Sequence, residues 1–204
     1  MTIGRGFDWR VITVLLGGTV CTCLQIAASR GQLALPSVSD RVPLSPAILV
    51  PYLVFPAMLT VALGENPLRC LLPGRWRDAR GLLAMLASAL VVAAACVAVL
   101  EWPGPPRALH ASEVTEIVLT LVCVEYFFRG FVVLQLLPRF GWHAVAMAAW
   151  PYATVHAGKP VWELFGSVLF GLAAGYLAAR TRSIVYGLVL HAALAIAGAL
   201  AAAR

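Results

Sequence analysis

Seven long apolar runs separated by short polar stretches dominate the chain, at approximately 11–29, 45–64, 81–100, 114–137, 142–156, 161–180 and 183–203. Most are long enough to cross a hydrocarbon core of roughly 30 Å. Backbone donors and acceptors cannot be left open in lipid, so each spanning run must be a helix or part of a closed barrel. Uninterrupted apolar runs of about 20 residues exclude barrel strands, which are shorter and alternate in polarity. The pattern predicts an all-α, polytopic transmembrane helical bundle of about seven helices, with six or eight also compatible. The run 142–156 is short, and reads as tilted, broken at Pro151, or continued into the turn Gly158-Lys159-Pro160. The stretch 31–44, with Pro36 and Pro43, reads as a loop, and so does 102–112, with Pro103, Pro105 and Pro106. The second loop separates N-terminal helices over 1–101, free of buried charge, from a C-terminal helical core over 112–204 that carries it. Together they are expected to form one integral membrane domain.

Composition agrees with that picture. Of 204 residues, 61% are hydrophobic and 12% charged, against about half and roughly 25% in soluble domains. Lipid is the solvent that such an apolar surplus needs. The net charge of +6 could point to nucleic acid, but no basic patch is interleaved with aromatic residues as strand binding requires. The arginines fall in short segments between apolar runs, where they set topology. A cytoplasmic N-terminus puts nine loop cations on that side and five on the other, with Arg129 left inside a helix. Arg5 and Arg10 followed by an apolar run to Ala28 imitate a signal peptide. The length of that run and the apolar segments after it favour a retained first helix. An Ala-, Arg- and Gly-rich composition points to a prokaryotic source, hence to a bacterial cytoplasmic (inner) membrane. Cys21, Cys23, Cys70, Cys96 and Cys123 have neither zinc-ribbon nor disulfide-framework spacing, and read as small apolar side chains.

Ionisable groups change the picture most. A charge at the centre of a membrane helix costs roughly 2.5–3.5 kcal/mol on insertion scales, and persists when it faces a partner inside the protein. Glu125 and Arg129 lie four apart in 114–137, on one helix face. His156 ends the next run, and His191 lies near the middle of the last. An i,i+4 ion pair explains Glu125 and Arg129 as structure. It does not explain two histidines on neighbouring segments. Glu163 is a second candidate carboxylate, read structurally as a helix N-terminal acid or a partner for Lys159. Ser167, Gly171 and Gly175, each four apart, form a small-residue face that permits close helix packing.

The run Glu125-Tyr126-Phe127-Phe128-Arg129-Gly130 resembles the first motif, E-E-x-x-x-R, of the CAAX-protease and bacteriocin-processing family of glutamic intramembrane endopeptidases. Tyr152-Ala-Thr-Val-His156 is similar to the second motif, F-x-x-x-H. His191 followed by Ala195 is similar to the third, H-x-x-x-N. The three occur in order across roughly residues 114–200. Val124 stands where the family has its first glutamate, and Ala195 where it has an oxyanion-stabilising asparagine.

The resemblance implies an endopeptidase that cleaves a membrane-anchored peptide or protein, without a cofactor. A carboxylate in a partly dry site has its pKa raised toward the working range and serves as general base. That role falls to Glu125, helped by His156. His191 would donate to the oxyanion, a contribution of roughly 2.7–4 kcal/mol for one donor. Arg129 would hold Glu125 in place, and Glu163 is the alternative source of the missing carboxylate. Three other readings stay open. One is a non-catalytic scaffold or immunity-type relative. Another is a zinc-dependent membrane protease, although no H-E-x-x-H helix is present. The last is a transporter with a proton-relay Glu/His set.

Overall fold

The computed structural model describes residues 8–30, 32, 44–72, 87 and 109–201. Every long element among them is a helix. Helix α1 is Trp9–Ser29, started by the Asp8 carboxylate, which accepts from the backbone N–H groups of Arg10 and Val11. That cap satisfies donors the first turn leaves open. Helix α2 covers Pro46–Ala62, opening on Ser45 as cap with Pro46 behind it, a position where the missing N–H is harmless. Its turn Val50–Val54 is π-helical around Pro51. Helix α3 runs over Ala111–Phe140, and its first turn is closed by a capping box between His110 and Glu113. Helices α4, α5 and α6 are His143–Thr154, Val161–Thr181 and Val185–Ala201.

These match six of the seven predicted runs, and the run 81–100, Ala87 apart, lies outside the described residues. Pro151 lies inside α4 without breaking it. The helix ends at Thr154, and the following turn carries His156, whose N–H donates to Ala153 O at 3.0 Å.

Two contacts fix which helix ends lie together. Arg10 donates to Gln135 at 2.6 Å and to Glu65 at 3.0 Å, joining the start of α1 to the ends of α2 and α3. Ile184 N–H donates to Cys70 O at 2.9 Å, bringing the start of α6 to the same end. The small-residue face of α5 is used as its spacing predicts. A Cβ on Gly171 would lie 3.3 Å from Ala149 Cα, and one on Gly175 would lie 2.9 Å from a Val145 methyl. Helices α4 and α5 therefore touch almost backbone to backbone, as small residues allow in lipid.

The middle of α3 departs from α-geometry. Tyr126–Val133 is π-helical, and all eight residues are buried. Phe127 stacks on Tyr52 of α2 at 4.8 Å between centroids, and Phe128 meets Tyr152 of α4 edge-on at 5.2 Å. π-helical turns are uncommon and concentrate at functional sites. Here aromatic packing on several sides offsets the poorer hydrogen bonding of the wide turn.

Among the described residues, three helices, Trp9–Ala28, Ala111–Phe140 and Glu163–Thr181, are long and apolar enough to cross a membrane, and Pro46–Ala62 and Val185–Leu200 are shorter apolar helices. Leu16, Met58, Phe165 and Leu169 point outward and are exposed, as lipid-facing side chains are. The chain is an integral membrane protein of helical class.

Candidate active site

Glu125 sits near the middle of the longest helix and is 0% exposed; Arg129, one turn on, is 1% exposed. Two charges this deep survive only if they are paired and desolvation is offset. Glu125 Oε1 lies 2.7 Å from His191 Nδ1 and 3.2 Å from Arg129 Nη1. The first is a hydrogen bond in which Nδ1–H donates to the carboxylate. The second is a charge contact, since neither terminal N–H of the guanidinium is aligned with an acceptor.

His191 reaches this carboxylate from α6 because Gly187, one turn earlier on the same face, leaves room. A Cβ at Gly187 would stand 2.9 Å from Glu125 Oε2 and 3.3 Å from Ala174 Cβ. We expect Gly187→Ala to push the carboxylate off His191 and to destabilise the protein by about 1–3 kcal/mol, the usual cost of overpacking. Thermal unfolding in detergent checks this, and an unchanged midpoint would show that the space is not tight.

Tyr152 links the other groups. Its hydroxyl lies 3.3 Å from His191 Nε2. In the neutral imidazole, with Nδ1–H given to Glu125, Nε2 is the acceptor and the tyrosine O–H donates. Geometry thus selects one imidazole tautomer. His156 Nδ1–H donates to the Tyr152 carbonyl at 3.0 Å, and its ring lies 4.9 Å from the Tyr152 ring. The Arg129 guanidinium lies 4.4 Å from the Tyr152 ring centroid, 5.2 Å from Phe170 and 5.9 Å from Phe128. A desolvated cation–π contact is worth about 2 kcal/mol. This aromatic cage does for the cation what hydrogen bonds do not.

Among the described residues, the buried side-chain polar atoms with no hydrogen-bond partner are Glu125 Oε2, Arg129 Nη1 and Arg129 Nη2. All three belong to one pair. A carboxylate oxygen and two guanidinium nitrogens without hydrogen-bond partners thus meet at one place, the acceptor and donor set that a polar guest would need.

Residues 108–197 match the model of one protein family. It is the Rce1-like family, described as type II CAAX prenyl endopeptidase Rce1-like. The matched segment covers somewhat under half the chain, holds every group of the site, and agrees with the resemblance carried by Glu125, His156 and His191. The family is one of proteases. No curated protein and no solved structure matches the chain.

Of the residues singled out in the sequence, Glu125, Arg129 and His191 meet directly within the matched segment. His156 joins them through Tyr152. Glu163 stands apart in the first turn of α5, 3.7 Å from Lys159 and about a third exposed, which meets both of its structural readings. Among the described residues no three His, Cys, Asp or Glu side chains form a group that could hold a metal ion. Sequence reasoning missed Gly187 and Phe170, and gave Tyr152 no role beyond replacing phenylalanine. The signal for Gly187 was present: a glycine four residues before a histidine, in an otherwise apolar helix.

Proposed function

We propose that the chain is an intramembrane endopeptidase that hydrolyses a peptide bond in a membrane-anchored peptide or protein, using water activated by Glu125 with His191. The observation that carries this reading is the cluster of unpartnered polar atoms on Glu125 and Arg129 beside a 2.7 Å Glu–His contact, inside a segment matching a protease family.

The chemistry divides as follows. Water bound at Glu125 Oε2 gives its proton to that oxygen and attacks the scissile carbonyl carbon. His191 holds the other carboxylate oxygen and so fixes the direction in which Oε2 points. The oxyanion needs donors. Ala195 offers no side-chain N–H, whereas Arg129, paired with the carboxylate, has two nitrogens whose N–H groups make no hydrogen bond. Preorganised donors of this kind supply much of an enzyme's rate enhancement. Glu125 then passes the proton to the leaving amine as the C–N bond breaks. His156 and Tyr152 are positioning residues that keep His191 in its tautomer. The protein resides in a bacterial inner membrane with its N-terminus cytoplasmic, by the excess of arginine on that side.

A second reading has a specific observation in its favour. Complete burial of Glu125 and Arg129 under the rings of Tyr152 and Phe170 is also what a polar lock between helices needs, and Val124 and Ala195 are apolar at two family positions. Reconstitution in liposomes with a panel of membrane-anchored peptides separates the two. An endopeptidase generates new amino and carboxyl termini, identified by mass spectrometry, with the wild-type chain and not with Glu125→Gln. The same termini from both proteins would sink the Glu125 mechanism. No cleavage of any panel member by well-folded wild type would favour the lock.

A further inference from the structure

A cavity of about 550 Å³ lies at the end of the bundle where Cys70 O meets Ile184 N, and it is lined by Arg69, Arg180 and Arg182 together with Trp142 and Thr181. The three arginines come from two separate parts of the chain. Arg69 belongs to the turn after α2, whereas Arg180 and Arg182 flank the end of α5. Among the described residues none of them has a carboxylate within ion-pair distance. Arg10, at the same end of the bundle, does have one in Glu65. Among the described residues, Arg10 is thus neutralised there, whereas Arg69, Arg180 and Arg182 line an open space without a carboxylate partner.

Two ordinary explanations account for part of this. Cytoplasmic loops collect arginine, and the C-terminus of a helix favours a cation. Topology requires only that charges lie in loops, not that they share a cavity. The dipole of α5 is answered by Arg180 in its last turn. Neither explains Arg182, which holds a left-handed backbone at φ 59° and is, among the described residues, the non-glycine residue with positive φ. Helices usually place glycine at such a stop, because a side chain there costs backbone energy. At this stop the chain carries a guanidinium instead.

The depth of the pocket narrows the ligand. Trp142 stacks on Tyr176 at 5.2 Å between centroids, and both rings are more than half exposed. Exposed Trp and Tyr at helix ends mark the headgroup level of a bilayer. Guanidinium forks match phosphate oxygens two at a time.

We propose that this pocket binds a phosphate group at the membrane surface, supplied by an anionic phospholipid headgroup or by a soluble phosphate. The site is independent of the hydrolytic reading. The test uses the full chain in nanodiscs of phosphatidylcholine with or without phosphatidylglycerol, and native mass spectrometry to count retained lipid. Inorganic phosphate added to the phosphatidylcholine discs forms a second arm, read by the shift in unfolding midpoint. Each arginine near the surface contributes roughly a fivefold change in affinity for an anionic headgroup, and three contribute about a hundredfold. Wild type is expected to retain phosphatidylglycerol selectively, and the triple variant R69Q/R180Q/R182G to lose that preference. R182G alone guards against misfolding, because glycine suits the left-handed position. Its midpoint in phosphatidylcholine should stay level or rise while phosphatidylglycerol retention falls. A midpoint shift with inorganic phosphate and no lipid preference assigns the site to a soluble ligand. Equal retention by wild type and triple variant, with no response to phosphate, overturns the proposal.

Discussion

Arg129→Met should lower the stability of the bundle by about 3–5 kcal/mol, the cost of removing one partner from a buried ion pair. The substitution keeps most of the side-chain volume, so the loss comes from chemistry more than from a cavity. Glu125 would be left fully buried with only His191 to balance it, and the Tyr152 and Phe170 rings would lose the cation they enclose. The double variant Glu125→Gln/Arg129→Met should regain much of that loss, because no unpaired charge then remains. Arg129→Lys should be intermediate or worse, since an ammonium keeps the charge without the flat face that stacks between rings. Unfolding of the purified proteins in detergent, followed through the double-mutant cycle, measures the coupling. Additive losses would show that Glu125 and Arg129 do not depend on each other.

That coupling was half visible in the sequence. A glutamate and an arginine four apart in an apolar run can enter a membrane only together, so pairing and interior placement followed from energetics alone. The helical class followed as directly, because lipid leaves the backbone few options. What could not be read was the environment around the pair. The π-helical turn at Tyr126–Val133 depends on Tyr52 from α2 and Tyr152 from α4, which are distant in sequence. The link from His156 to the site runs through a backbone carbonyl and a phenol, and no spacing rule encodes such a path. Glu163 shows the opposite case. It lies close in sequence to His156 and has the right chemistry, yet it points to Lys159 at the start of α5. For these residues, spacing within one helix was informative and proximity along the chain was not.

The distinction between the two glutamates leads to the prediction with the largest effect on function. Glu125→Gln should reduce peptide cleavage by about 10²–10⁴-fold, the range spanned by general acid–base catalysis. Glutamine keeps the shape and can still accept from His191 Nδ1, but it cannot take a proton from water at the position of Oε2. Because the same change leaves Arg129 less well balanced, rates must be compared at equal folded fraction, with midpoints measured on the same preparations. Glu163→Gln removes only a half-exposed contact with Lys159, and such surface pairs contribute about 0–1 kcal/mol. Its cleavage rate should therefore stay near that of wild type. Tyr152→Phe restores the residue that the family pattern has at this position. It removes the O–H held by His191 Nε2 and keeps the ring over Arg129, so the imidazole is freed to turn while the guanidinium stays in place. Its loss should be smaller than that of Glu125→Gln and should appear in kcat with KM little changed, since the hydroxyl orients the base and binds no substrate. If instead Glu163→Gln abolishes cleavage and Glu125→Gln does not, the base is the carboxylate at the start of α5. The buried Glu125–Arg129–His191 cluster is then the lock that holds α3 to α6.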